Sequence, residues 1–176
     1  IKDTTKKSSP VIGVNDTIPY RFILDIEERL PGAKIFREVS KINDLFSDLR
    51  ATKSPKELDK LLEAGKIGNK VIEDIRKFAL ETEGTENDLS FLVMKKIKEY
   101  GGEGNSFPSL VANVTRSYQI HCHPMASNAK FSEQGLSLID FGALVDGYAS
   151  DITIPFTFGS LTPEQEKIRD TTLKAY

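Results

Sequence analysis

The chain is poor in cysteine and histidine, has no long apolar run and carries no strong excess of charge. Cys122 is the single cysteine in 176 residues. No disulfide can therefore close within the chain, and a reducing, cytoplasmic setting is expected. No apolar run approaches the roughly 18 residues of a membrane span. Residues 1–10, IKDTTKKSSP, lack the apolar segment of a signal peptide. Lys and Arg number 24 against 26 Asp and Glu, a formal net charge of −2, which offers no general attraction to nucleic acid or to an anionic membrane. There is no internal repeat and no low-complexity tract. The only histidines are His121 and His123, so a His/Cys zinc knuckle lacks a second ligand pair. The first residue is Ile rather than Met, which reads as an internal piece of a longer protein.

What is present is an ordinary globular mixture, 39% apolar and 28% charged, enough for one domain or for one domain with part of another. PVIGV (10–14) has a buried-strand pattern, and PYRFILDIEERL (19–30) has helical spacing through Phe22, Ile23, Ile26 and Leu30. PGAKIFREV (31–39) returns to strand, and KINDLFSDLR (41–50) to helix. This β-α-β-α run is thin for a whole domain and suits the tail of an α/β one. A boundary follows at ATKSPKEL, which separates 1–51 from 52–176. Ser54, Pro55 and Glu57 form a helix-start signature there. The predicted helix runs through Leu58, Leu61, Leu62, Ile67, Val71, Ile75 and Phe78, with Gly65 and Gly68 placed for close packing. A second helix follows in TENDLSFLVMKKIKEYGG (85–102), with Leu89, Leu92, Val93, Ile97 and Tyr100 inward, Met94 read as core and Gly101 as the stop.

From Ser106 the period changes to two. SFPSLVANV and SYQIHCH read as extended segments around a turn near Thr115 and Arg116. LSLIDFGALVDGYASDITIPFTFG (136–159) reads as a β-hairpin with Asp146-Gly147 at its turn. Its alternation puts Ile139, Phe141, Ala143 and Val145 on one face with Ile152, Ile154, Phe156 and Phe158. Asp140, Gly142, Asp151, Thr153 and Thr157 take the other. If Asp146-Gly147 is the turn, Asp140 lies opposite Thr153 and diagonal to Asp151; a turn at Val145-Asp146 would set the aspartates face to face. Two carboxylates ~5 Å apart repel by roughly 3 kcal/mol at an effective dielectric near ~20, more than the ~0.2–1 kcal/mol of a good cross-strand pair. A divalent metal between them would reverse that balance, with Gly142 leaving space for it. The plainer alternative is two solvated aspartates, or one protonated or paired with a basic residue. A final helix is expected in TPEQEKIRDTTLKAY, with Thr162 as cap, Pro163 in the first turn and Gln165 at the box position.

QIHCHP places His121 and His123 on one side of an extended segment and Cys122 on the other. Beside a carboxylate-metal face a histidine could hydrogen-bond a substrate carbonyl or shuttle protons. Cys122 reads as a buried, inert thiol.

FPSLVA, a histidine, LIDFGALVDGYASDIT and then FG-LTPEQ together resemble the pita-bread metallopeptidases: prolidase, Xaa-Pro aminopeptidase and, more distantly, methionine aminopeptidase and creatinase. ATKSPKELDKLLEAGKIGNKVIEDI resembles the helix that opens their catalytic domain, and residues 11–50 resemble the end of their smaller N-terminal domain. The implied fold is α+β: the first half of a pita-bread domain preceded by the tail of an α/β domain. The resemblance implies Asp140 and Asp151, eleven residues apart, as ligands of two divalent ions (Mn, Co, Fe or Zn), Asp151 bridging both. It implies a preceding histidine that contacts the substrate. Counting back from Asp140 selects His123, the preferred assignment because that anchor is better defined; counting forward from Phe107 selects His121. Ile154 and Pro155 stand where aminopeptidase-like members have Arg-Thr, and Gln134-Gly135 where Gly-Asp is usual. Three further ligands, a histidine and two glutamates, belong to a second half absent here, so the sequence is part of a longer protein or a partner chain supplies the rest. The implied substrate is a dipeptide or short peptide with proline after the scissile bond, and the implied assembly a homodimer. The rivals are a metal-free creatinase-like enzyme, a non-catalytic pita-bread binding module and, resemblance aside, an α+β interaction domain with solvated aspartates.

Overall fold

The computed structural model describes residues 10–15, 17–36 and 39–176, which divide into two compact units, Ile1–Ser54 and Pro55–Tyr176. The polar residues 1–9, and Arg37 and Glu38 at the end of the expected second strand, lie outside the described residues.

In the first unit β1 (Val11–Gly13), α1 (Tyr20–Arg29), β2 (Lys34–Phe36) and α2 (Val39–Ala51) follow the β-α-β-α order that the periodicity predicts. β1 and β2 pair in parallel, Val11 beside Lys34 and Gly13 beside Phe36, which requires a crossover of the kind α1 supplies.

The second unit is built on two helices. α3 (Pro55–Glu81) buries Ala64, Ile67, Gly68, Val71, Ile75 and Ala79, a stripe at three- and four-residue spacing. Gly68 is the glycine of close approach, since a Cβ there would overlap the Ile152 side chain. Gly65 has nothing within 4 Å, so the close packing expected of it is absent. α4 (Glu86–Glu99) starts from a Thr85 cap reciprocated by Asp88 and buries Leu89, Val93 and Ile97. Met94, read as core, is 48% exposed: it lies about 100° around the helix from Val93 and turns out of the stripe. Gly101, at φ +94°, ends the helix where expected.

The strands form two antiparallel sheets. β4 (Leu110–Ala112), β5 (Gly135–Phe141) and β8 (Ile152–Phe158) make one; β3 (Gly104–Asn105), β6 (Ala143–Val145) and β7 (Tyr148–Ala149) make the other. The turn falls at Asp146-Gly147, with φ of 48° and 78°, the double positive φ of a tight I′ hairpin. Val145 therefore faces Tyr148, and the register runs on to Phe141 opposite Ile152 and Asp140 opposite Thr153. Lys60 of α3 meets the Asp146 carboxylate at 2.8 Å, and the Tyr148 hydroxyl donates to Glu57 at 3.0 Å.

The hairpin read as continuous is broken at Gly142, where β5 gives way to β6 and the two sheets diverge. The Ser150 carbonyl comes so close that a Cβ on Gly142 would overlap it. Ser106 ties the corner, its amide donating to Gly142 O and its hydroxyl to Ser150 O, each at 2.9 Å. Gly142 thus serves the bend; the room expected above it is filled by Ser150 and Ser106. On the inner face Ile139, Phe141, Ala143 and Val145 are buried with the stripes of α3 and α4. Phe131 meets Phe156 and Phe158 edge-on at 5.4 and 5.5 Å. α5 (Pro163–Ala175) carries the expected Thr162–Gln165 capping box with Pro163 in its first turn.

SYQIHCH is not a strand. β4 stops at Ala112, and residues 113–129 run through turns and bends. The sequence alternates as a strand would, but no neighbouring strand pairs with it.

Candidate active site

Asp140 lies in the middle strand of its sheet, between Leu110 of β4 and Thr153 of β8. Its sequence neighbours Ile139 and Phe141 are wholly buried on the inner face, so the pleat turns Asp140 to the other side. Asp151, just before β8, is exposed. The aspartates are therefore diagonal neighbours across the hairpin, the first of the two geometries the turn allowed.

The Asp140 carboxyl is held above the usual carboxylate range, first by burial. A hydrogen bond from the Thr153 hydroxyl opposes the shift; the Asp151 charge and its direct approach reinforce it, and the charge of His121 weakens it. Oδ1 of Asp140 is buried with no hydrogen-bond partner among the described residues. A buried oxygen without a donor is uncommon, because losing water uncompensated costs about 1–3 kcal/mol. Two hard oxygen donors, one on β5 and one just before β8, with an oxygen of the first unsatisfied, fit a divalent cation of the Mg/Mn/Ca-like or borderline kind. The chain brings these two carboxylates together and no third ligand: no cluster of three or more His, Cys, Asp or Glu that could hold a metal exists among the described residues.

The histidine segment lies over the same face. Cys122 is fully buried in a small apolar cluster with Leu110, Ala112, Met125 and Leu138, and Leu138 is two residues from Asp140 on the same side of β5. His121 and His123 are both exposed. The in–out alternation survives although the strand does not. His121 is near enough for its charge to reach Asp140. The preference for His123 over His121 rested on counting alone.

One residue of this region escapes sequence reasoning. Glu86, at the first position of α4, looks like a surface acid facing a helix N-terminus, yet it is 0% exposed. It accepts from the Asn113 amide at 2.8 Å, the Ser127 amide at 2.8 Å, the Ser127 hydroxyl at 2.6 Å and Arg116 at 2.8 Å. Its partners lie 27 to 41 residues away in sequence, beyond any local pattern. An acid beside a Thr cap is too common a signal to have found it.

Two small antiparallel sheets share an apolar core with α3 and α4, the arrangement of the pita-bread fold that the structural neighbours below share. The chain belongs to metallopeptidase family M24, whose model matches residues 59–176. It is 32% identical over 167 residues to a Xaa-Pro dipeptidase of Pyrococcus horikoshii, spanning 93% of this chain and 45% of that protein. The prolidase structure from Pyrococcus furiosus superposes with a TM-score of 0.78 at 28% identity, over 94% of this chain and 47% of that one. A Xaa-Pro dipeptidase structure from Bacillus anthracis gives 0.80 at 28% identity, over 94% and 45%. The chain spans about half the length of the curated relatives it matches.

Proposed function

We propose that these residues form the N-terminal part of a dinuclear-metal Xaa-Pro peptidase that cleaves the bond before proline in dipeptides or short peptides. The observation that carries this reading is the Asp140–Asp151 pair, with its unsatisfied buried oxygen, inside a family of metallopeptidases. The names of the relatives, Xaa-Pro dipeptidase and prolidase, support the substrate class.

Asp140 and Asp151 would hold the ions, with further ligands from outside these 176 residues; Mn, Co, Fe and Zn all suit such a site. When bound, divalent metal supplies an activated water and charge stabilisation at the scissile carbonyl. The protein's own groups do the rest. Thr153 faces Asp140 across the strand pair, where its hydroxyl favours the ionised carboxylate, and β5 and β8 fix the spacing of the carboxylates. His123, or His121, donates a hydrogen bond to the scissile carbonyl oxygen as negative charge develops there. A non-catalytic binding module or a metal-free amidinohydrolase would have no use for a buried carboxylate oxygen without a donor. The reading includes a cytoplasmic homodimer; Cys122 as a lone buried thiol supports the reducing compartment, and light scattering of the full-length protein measures the assembly.

Calorimetric titration of the full-length protein with Mn²⁺ or Co²⁺ tests the site, alongside hydrolysis of a Xaa-Pro dipeptide. The Asp140→Asn, Asp151→Asn double variant should lose both metal binding and turnover. Undiminished binding by that variant would falsify the proposal.

A further inference from the structure

Glu86 is the one fully buried ionisable acid among the described residues, and none of its hydrogen bonds goes to the aspartates. All reach the segment that follows β4: the amide of Asn113, Arg116, and the amide and hydroxyl of Ser127. The first-turn amides of α4, which a helix leaves without internal partners, also go there. Glu86 N donates to Ala129 O at 3.0 Å and Asn87 N to Ser127 O at 2.9 Å. Residues 113 and 127–129 are thereby fixed to a single helical turn.

Arg116 spans the interval. One arm of its guanidinium is held by Glu86 at 2.8 Å. The other donates to Cys122 Sγ at 3.1 Å and to the Pro124 carbonyl. Cys122 and Pro124 are the two residues that flank His123. A buried ion pair contributes little net stability over an apolar filling. A planar fork with donors on two edges, in contrast, can fix two backbone stretches at a set angle.

We propose that Glu86 and Arg116 are positioning residues, which hold residues 121–124 and so aim the histidine pair at the carboxylate face. The proposal rests on the reading above that one of these histidines contacts the substrate. It adds the device that places that histidine, built from α4 rather than from the sheet.

The test uses the full-length protein with Arg116→Lys and Glu86→Gln, each alone and combined with His121→Gln and with His123→Gln. Lysine keeps the charge but cannot grip both sides of the segment. In Arg116→Lys, kcat on a Xaa-Pro dipeptide should fall about 10–100-fold, with KM and Mn²⁺ affinity within about twofold. In the background that lacks the substrate-contacting histidine, the same substitution should change kcat by less than about twofold, as expected when two residues act through one contact. In ¹³C-histidine spectra, assigned with the single histidine variants, the His121 and His123 signals should shift or broaden. If Glu86→Gln fails to fold, Arg116→Lys carries the test. An equal loss of kcat in every background overturns the proposal, as do unmoved histidine signals. Full activity in both histidine variants would instead sink the substrate-contacting role, and the spectra would still decide whether Arg116 sets these side chains.

Discussion

Asn at position 140 should make the metal-free protein more stable, contrary to the usual effect of altering a hydrogen-bonded strand residue. Asp140 sits opposite Thr153, so Asp151 is its diagonal neighbour, and the two carboxyl groups approach each other directly. Two unit charges in such close approach, ~4–5 Å apart, repel by roughly 3–4 kcal/mol at an effective dielectric of ~20 and about 1 kcal/mol in water. Asp151 is exposed, so solvent screening pulls the value toward the lower figure. Asn retains an acceptor for Thr153 and removes both the repulsion and the burial of charge. The expected gain is about 1 kcal/mol at pH 7, or about 2–4 °C in Tm for a chain of this size.

The sign of the pH dependence follows from the upward shift of Asp140, whose first cause is burial. A carboxyl with a raised folded-state pKa binds its proton more tightly folded than unfolded. That benefit is complete below the unfolded value of about 3.9 and is lost as pH climbs through the folded one. The native protein should weaken relative to Asp140→Asn as pH rises above about 3.9 and through the raised folded-state value, and the two should converge in acid. Circular-dichroism melts in EDTA across that range measure the gap. A less stable variant at pH 7, or a gap that persists in acid, would refute the electrostatic reasoning.

Other substitutions separate backbone from side-chain causes. Gly142→Ala should destabilise by about 3 kcal/mol in urea unfolding, because the added carbon meets the Ser150 carbonyl. Gly147→Ala, at φ +78° with open space around it, should cost only the left-handed penalty of about 1–2 kcal/mol; a larger loss there would argue against the I′ turn. Phe131→Ala should lose about 3–5 kcal/mol, since Phe131 is buried edge-on to Phe156 and Phe158. Cys122, fully buried, should react with an aromatic disulfide reagent only after unfolding; fast reaction in the native state would place the histidine segment differently.

The local code was strongest where one short-range rule acts alone. Asp146-Gly147 demands two positive φ values in succession, and that one choice carries the register as far as Asp140 opposite Thr153. Thr162, Pro163 and Gln165 mark a helix start whose bonds span three residues. The stripes of α3 and α4 follow from the helical period, and Met94 was misplaced because it borders a stripe without belonging to it. SYQIHCH shows the limit of alternation: its pattern is correct for accessibility, but a strand also needs a partner strand, and none is beside it.

The sequence by itself determined the helix starts, the helical stripes and the apolar alternation of the hairpin, and narrowed its register to two choices, because each depends on neighbours a few residues apart. Only the tertiary structure decided that Gly142 bends the hairpin into two sheets, that an oxygen of Asp140 loses water without gaining a donor, and that Glu86 is buried beneath the histidine segment. Those outcomes depend on which distant groups meet and what solvent they exclude, and contacts across 27 to 44 residues leave no periodic trace in the chain.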